Sequence, residues 1–156
     1  MSCQEKYRAI RSVTLSKEKR CDKIKGRTCA DGSCQRTYIP REESTPPTIV
    51  LEALFLSLLI DTHEGIAVQT VDVPGAYLHT SLTDDKVVHM KFEGEFGEMM
   101  CKVNPEYEKF VIYDKVKKLL YVLILKAIYG MIESALLWYN LFSATLLYLR
   151  FKLNPY

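Results

Sequence analysis

The stretch IAVQTVDVPGAYLHTSL, residues 66–82, decides how the rest of the chain is read. Residues 66–73 are strand formers, alternating at first and then apolar, and Pro74-Gly75 ends whatever precedes it. One acidic residue, Asp72, stands at the end of that run. A strand over Ile66 to Val73 would hold the Asp72 carboxylate rigidly and aim it into a cleft. That suits Mg²⁺, which takes few protein carboxylates and fills its other positions with water and substrate phosphates. The same Asp also serves as a turn former whose side chain caps the following bend. Spacing alone leaves both readings open.

Outward from this stretch the chain reads as alternating element types. Upstream, REESTPPTIVLEALFLSLLIDTHEG (41–65) predicts a helix, with Ser44 or Thr45 as cap, Pro46 and Pro47 in its first turn and Gly65 at its end. Apolar residues cover nearly every face of it, so burial is expected. Downstream, Lys86 to Phe92 predicts a strand after the polar turn Thr83-Asp84-Asp85. FGEMMCKV reads as a short helix, PEYEKFVIYDKVKK as a loop or hairpin, and Leu119 to Leu125 as a strand. Met131 to Phe151 has a broad apolar face with a period near 3.6, which Asn154-Pro155 would stop.

The N-terminal part is more polar. Lys23 to Ile39 alternates loosely, and Asp31-Gly32 predicts a basic hairpin of two short strands joined there. Residues 1–20 show no clear period and predict a poorly ordered leader or a short strand. The element order predicts an α+β fold, mixed strands packed on two buried helices, in one domain over 21–156. There is no internal repeat and no low-complexity tract.

Composition bounds the function. The chain has 156 residues, 48% hydrophobic and 26% charged, enough for one domain with a core. Its longest apolar run, Ile49 to Ile60, is interrupted by Glu52 and Ser57 and is too short to span a bilayer, so no membrane partner is expected. MSCQEKYRAIRSV lacks the apolar core of a secretory signal, and the five cysteines form no disulfide framework. Both point to an intracellular protein, cytoplasmic or nuclear, with reduced thiols. Residues 1–48 hold 11 Lys/Arg against 6 Asp/Glu, and residues 49–156 hold 10 against 13. A basic arm on a slightly acidic body is compatible with a polyanion partner, and equally with a plain solvated surface.

Three ordered blocks carry a resemblance. VDVPGAYL is similar to the first catalytic motif of the reverse transcriptase of copia-type LTR retrotransposons, an apolar-Asp-Val-x-x-Ala-(Phe/Tyr)-Leu run. LKAIYGMIESALLWYNLF resembles that family's Leu-Tyr-Gly-Leu-Lys-Gln-Ala-Pro-x-x-Trp-Tyr block, matching at Tyr129, Gly130, Trp138 and Tyr139. KIKGR resembles the upstream Lys-x-Arg segment of the polymerase fingers. The likeness spans roughly Lys23 to Tyr156.

The resemblance implies the fingers and first part of the palm of a right-hand RNA-directed DNA polymerase. Asp72 would then ligate the catalytic Mg²⁺ (or Mn²⁺) ions, with the Val73 carbonyl assisting. Tyr77 would lie under the sugar of the incoming dNTP and exclude a 2′-hydroxyl, or else sit in the palm core. Lys25 and Arg27, two apart on one strand face, would reach the triphosphate. Gly130 would let the backbone approach a nucleotide or template base, or form a strand-to-helix turn. Trp138 and Tyr139 fit the core better than a contact surface. The implied partners are an RNA template, a DNA primer, dNTP and the rest of the polyprotein.

The family pattern also fails in places. Its second carboxylate pair lies in a downstream Tyr-x-Asp-Asp hairpin that these 156 residues do not contain. Ile132-Glu133-Ser134-Ala135 stands where Lys-Gln-Ala-Pro is usual, and Glu133 adds negative charge near a polyphosphate site. A two-metal site with one carboxylate of three lacks most of the charge that holds its ions, so the expectation is a fragment without polymerase activity of its own. Asp84-Asp85 sits in a polar turn and is a poor catalytic pair. Cys29 and Cys34 lack a nearby His at zinc-knuckle spacing, and His63, His79 and His89 form no triad. An incomplete sheet would leave apolar surface uncovered and the product marginal and aggregation-prone.

Overall fold

A computed structural model of the chain describes residues 3–18, 20, 22–83, 86–114 and 117–153. The architecture is α+β, with one five-stranded mixed sheet and four α-helices among the described residues. In chain order these are α1 (Cys3–Arg8), β1 (Ile10–Glu18), β2 (Ile24–Asp31), α2 (Leu51–Glu64), β3 (Val88–Glu93), α3 (Glu95–Val103), β4 (Val111–Asp114), β5 (Lys117–Ile124) and α4 (Ser134–Tyr148). The strand order across the sheet is β2-β1-β3-β5-β4. All neighbours are antiparallel except β1 and β3, which run parallel over Ile10↔Met90 and Arg11↔Lys91.

The core lies on one face of the central strands. Period-2 alternation puts Met90 and Phe92 of β3 inward with Leu120 of β5, where Ile10, Ala30 and Met131 join them. The register sets Phe92 opposite Leu120 and Met90 opposite Val122, so the same face is apolar on both strands. α3 packs on this face through Gly97 and Cys101, four residues apart and therefore on one side of the helix.

Several sequence expectations hold. β3, α3 and β5 fall where the pattern predicts, and a 3₁₀ turn over Pro105–Phe110 leads into β4, which pairs antiparallel with β5. α2 ends at Gly65, whose φ of 70° closes the helix by donating its N–H to Asp61 and Thr62.

Others are corrected. α2 starts at Leu51, not near Ser44 or Thr45, and Val50 offers it no side-chain cap. Each residue before a proline is driven out of the helical region, and the β-branched run Thr48-Ile49-Val50 prolongs the extended backbone. Asp31-Gly32 does not join two strands: Asp31 Oδ1 accepts the Ser33 N–H at 3.1 Å and caps a 3₁₀ turn over Gly32–Thr37. The basic hairpin exists, but β2 pairs with β1 instead. Residues 1–20, expected as a leader or short strand, thus supply α1 and a nine-residue strand. The two long helices are not buried: no residue of α2 is, and only Ser134 of α4. Finally, residues 66–73 form no strand. A strand exists only if its N–H and C=O groups find a ladder partner, and among the described residues these find none.

Candidate nucleic-acid interface

Basic residues gather at the free end of the β1–β2 hairpin. Antiparallel pairing sets Lys17 opposite Lys25 and Leu15 opposite Arg27, so all four side chains share one face. That face is opposite to the one bearing Ile10 and Ala30, which enter the core. Lys25 and Arg27 are both exposed. With Leu15, Lys17, Glu18 and Arg20 they line an open cavity of about 590 Å³. Like charges directly across a strand pair repel, and one Glu offsets only part of four cations. An anion in this cleft would relieve that repulsion. The sequence pointed to Lys25 and Arg27 and missed Lys17 and Arg20. The signal for Lys17 was the alternation in RSVTLSKE, where Val13, Leu15 and Lys17 recur every second residue.

A second cluster joins the two longer resemblance blocks. Pro74-Gly75 turns the chain, with Gly75 at φ 64°, into a 3₁₀ turn over Ala76–His79. This turn presents Tyr77, half-buried, to Tyr129: the ring centroids are 4.6 Å apart and the planes tilted by 51°. Tyr129 and Gly130 in turn grip the end of β2. Ala30 N–H donates to the Tyr129 carbonyl at 2.7 Å, and Gly32 N–H to the Gly130 carbonyl at 3.1 Å. Gly130 has φ 91°, and a Cβ there would collide with the Ala30 carbonyl oxygen and lie 2.9 Å from its carbonyl carbon. The close approach Gly130 permits is therefore to β2. Beside it the Trp138 ring stacks on Phe142 at 5.4 Å and faces His79 at 6.2 Å. Tyr139 is likewise half-buried on α4.

Asp72 stands apart from both clusters. It is exposed, in irregular backbone, with Val73 half-buried beside it. Among the described residues no group of three His, Cys, Asp or Glu side chains could hold a metal ion. A hard cation at Asp72 would find one carboxylate, which no strand holds in place, and that donor set does not fit a catalytic Mg²⁺ or Mn²⁺ by itself. No chemical step is therefore derived through the ion. Asp84 and Asp85 lie outside the described residues.

Glu133, the departure from the family block, has a specific environment. The residue is 5% exposed, and its carboxylate accepts a hydrogen bond from Lys86 Nζ in an ion pair. Next to it, Ser134 Oγ donates to the Ile128 carbonyl at 2.7 Å, and Gln35, fully buried, accepts the Ile132 N–H at 3.0 Å. Burial holds the Tyr38 phenol above its ordinary pKa, with Cys34 and Glu133 adding to the shift. Arg8 lies 5.5 Å over the Tyr38 ring and works against it. Glu133 therefore acts as a local anchor, its charge met by Lys86. The resemblance set Glu133 near a polyphosphate because it stands where the family block has Gln; its cation, Lys86, is 47 residues distant and not visible from that block.

Among the described residues Cys29 and Cys34 are half-buried free thiols and Cys101 a buried one. No helix among them is long and apolar enough to cross a membrane. The chain matches no protein-family model, no curated protein and no solved structure, so no family is assigned by comparison.

Proposed function

We propose that this chain is part of an RNA-directed DNA polymerase of the copia-type retrotransposon class, comprising fingers and a partial palm. Its own working property is then to bind single-stranded nucleic acid through the β1–β2 hairpin. The observation that carries this reading is the convergence of Lys17, Arg20, Lys25 and Arg27 on one cleft. Two of those residues come from the block that resembles the fingers. The contact of Tyr77 with Tyr129 supports it further, since it draws two of the resembling blocks together.

In this reading the hairpin meets phosphates electrostatically and without base preference. Nucleotidyl transfer by two metal ions would belong to the parent protein, because these residues supply Asp72 without its carboxylate partners. A second reading, a nucleic-acid-binding remnant with no chemistry in any context, is favoured by the isolation of Asp72 in an exposed loop.

Filter retention of a labelled oligonucleotide tests the binding. Affinity should fall with log[salt] at a slope of about −0.7 per neutralised phosphate. Charge reversal at Lys25 and Arg27 together should abolish retention at low salt, and unchanged retention would sink the assignment. Asp72→Asn in a longer chain carrying a Tyr-x-Asp-Asp hairpin separates the two readings. Loss of Mg²⁺-dependent extension supports the first; unchanged extension removes Asp72 from the metal site.

A further inference from the structure

Two helices carry apolar side chains over most of their surface; the fold leaves α2 without a buried residue and covers α4 only in part. α2 leaves Leu51, Phe55, Leu56 and Leu59 between 56% and 68% exposed, and none of its residues is buried. α4 is partly covered near its start by the 3₁₀ turn at Ala76–His79. Its far end and the residues beyond expose Leu147, Tyr148, Leu149 and Phe151. Single exposed apolar residues are ordinary, but contiguous stretches of this size mark an interface.

The charges around the two surfaces are opposite in sign. Residues 49–73, which span α2 and its flanks, hold Glu52, Asp61, Glu64 and Asp72 and no Lys or Arg. Residues 134–153, from the start of α4 onward, hold Arg150 and Lys152 and no Asp or Glu. We propose that α2 is covered by α4 of a second copy of this chain, in a two-fold dimer where each chain gives its α2 to the other's α4.

Charge selects this pairing over the simpler ones. Packing α2 on α2 sets carboxylates against carboxylates, and an antiparallel two-fold packing of α4 on α4 gives Arg150 and Lys152 no acidic partner, because residues 134–153 hold no Asp or Glu. Cross-pairing alone matches both surfaces. A two-fold axis makes the contact twice and closes the assembly at two, so the exposed apolar surface is consumed rather than propagated. The inference does not depend on the proposed nucleic-acid function, because the basic hairpin takes no part in it.

Sedimentation equilibrium up to about 100 µM tests it, a range that detects micromolar association. The expected result is a plateau at twice the 18.0 kDa chain mass. Reversing Arg150 and Lys152 to Glu, or Glu52, Asp61 and Glu64 to Lys, should each weaken the dimer about tenfold or more, as mismatched interface charges do. Combining both sets in one chain should restore it. A monomer throughout, growth without a plateau, or a dimer indifferent to both reversals would overturn the proposal. Zero-length amine–carboxyl cross-linking of isotope-mixed wild-type chains gives a readout that needs no variant. Links from Lys152 to Glu52, Asp61 or Glu64 of the other copy are expected. Links confined to one chain, or to other surfaces, would also overturn it.

Discussion

The sheet with α3 and the segment 49–73 are built from the same kinds of residue and end in opposite conditions. VHMKFE in β3 and LLYVLI within β5 meet each other residue by residue, and Leu120 is fully buried between them. LEALFLSLLI in α2 and IAVQTVDV after it are as apolar, yet no α2 residue is buried and 66–73 has no ladder. Local propensity suffices for a helix, whose hydrogen bonds are its own, but not for a strand, whose hydrogen bonds belong to a neighbour. That is why α2 closes its own hydrogen bonds without cover from its own chain, whereas 66–73 makes no strand.

Substitutions in the two regions should therefore separate widely. The largest effect is expected at Leu120→Ala, which empties a fully buried site in the middle of the sheet. Chemical denaturation should register a loss of about 4 kcal/mol. Gly130→Ala comes next, at roughly 3 kcal/mol, from a positive φ combined with a collision against the end of β2. Its thermal midpoint should drop accordingly, and an unchanged midpoint would mean that the Tyr129–Gly130 grip on β2 is not formed. Lys86→Met should cost on the order of 1–2 kcal/mol, because it leaves the buried Glu133 carboxylate without its cation; the half-exposed lysine keeps the figure below that of a fully buried pair. Glu133→Gln in the same background should recover much of that loss. Smallest of all, Leu59→Ser on α2 should change monomer stability by no more than about 0.5 kcal/mol when measured at nanomolar concentration. A loss comparable to that of Leu120→Ala would erase the contrast between the regions.

Legibility in the sequence followed the range of the interactions. β3, β5 and α3 were readable because alternation, or spacing by four, is written within each segment, and Gly65 announced the end of α2 as the residue type that adopts the left-handed φ found there. Burial of α2 was inferred from composition, but an all-apolar helix states only that it needs cover, not what provides it. β1 was missed although RSVTLSKE alternates, because Arg11 and Lys17 stand among its outward positions and most of its length is exposed, so the pattern marks no apolar face to bury. The strand over 66–73 failed for want of a non-local partner. At the candidate site, Lys25 and Arg27 came from the resemblance of KIKGR to the fingers segment, with their spacing of two placing them on one strand face, while Lys17 and Arg20 required knowledge of which strand lies alongside. The role of Glu133 was unreadable for the same reason, since its cation comes from the far side of the chain.

The parallel contact between β1 and β3 covers only Ile10 and Arg11. Beyond it, β1 runs seven further residues with β2 as its sole neighbour in the sheet, a two-stranded ribbon about 20 Å long. Its base is fixed by the Ala30 and Gly32 bonds to Tyr129 and Gly130, and its tip carries the lysines and arginines. Mechanically this is a cantilever. A small rotation at the clamped end displaces the charged tip by several ångströms, while the packed face around Leu120 need not move. On the proposed function, the charges would then follow the contour of a flexible polyanion without drawing on the stability of the core.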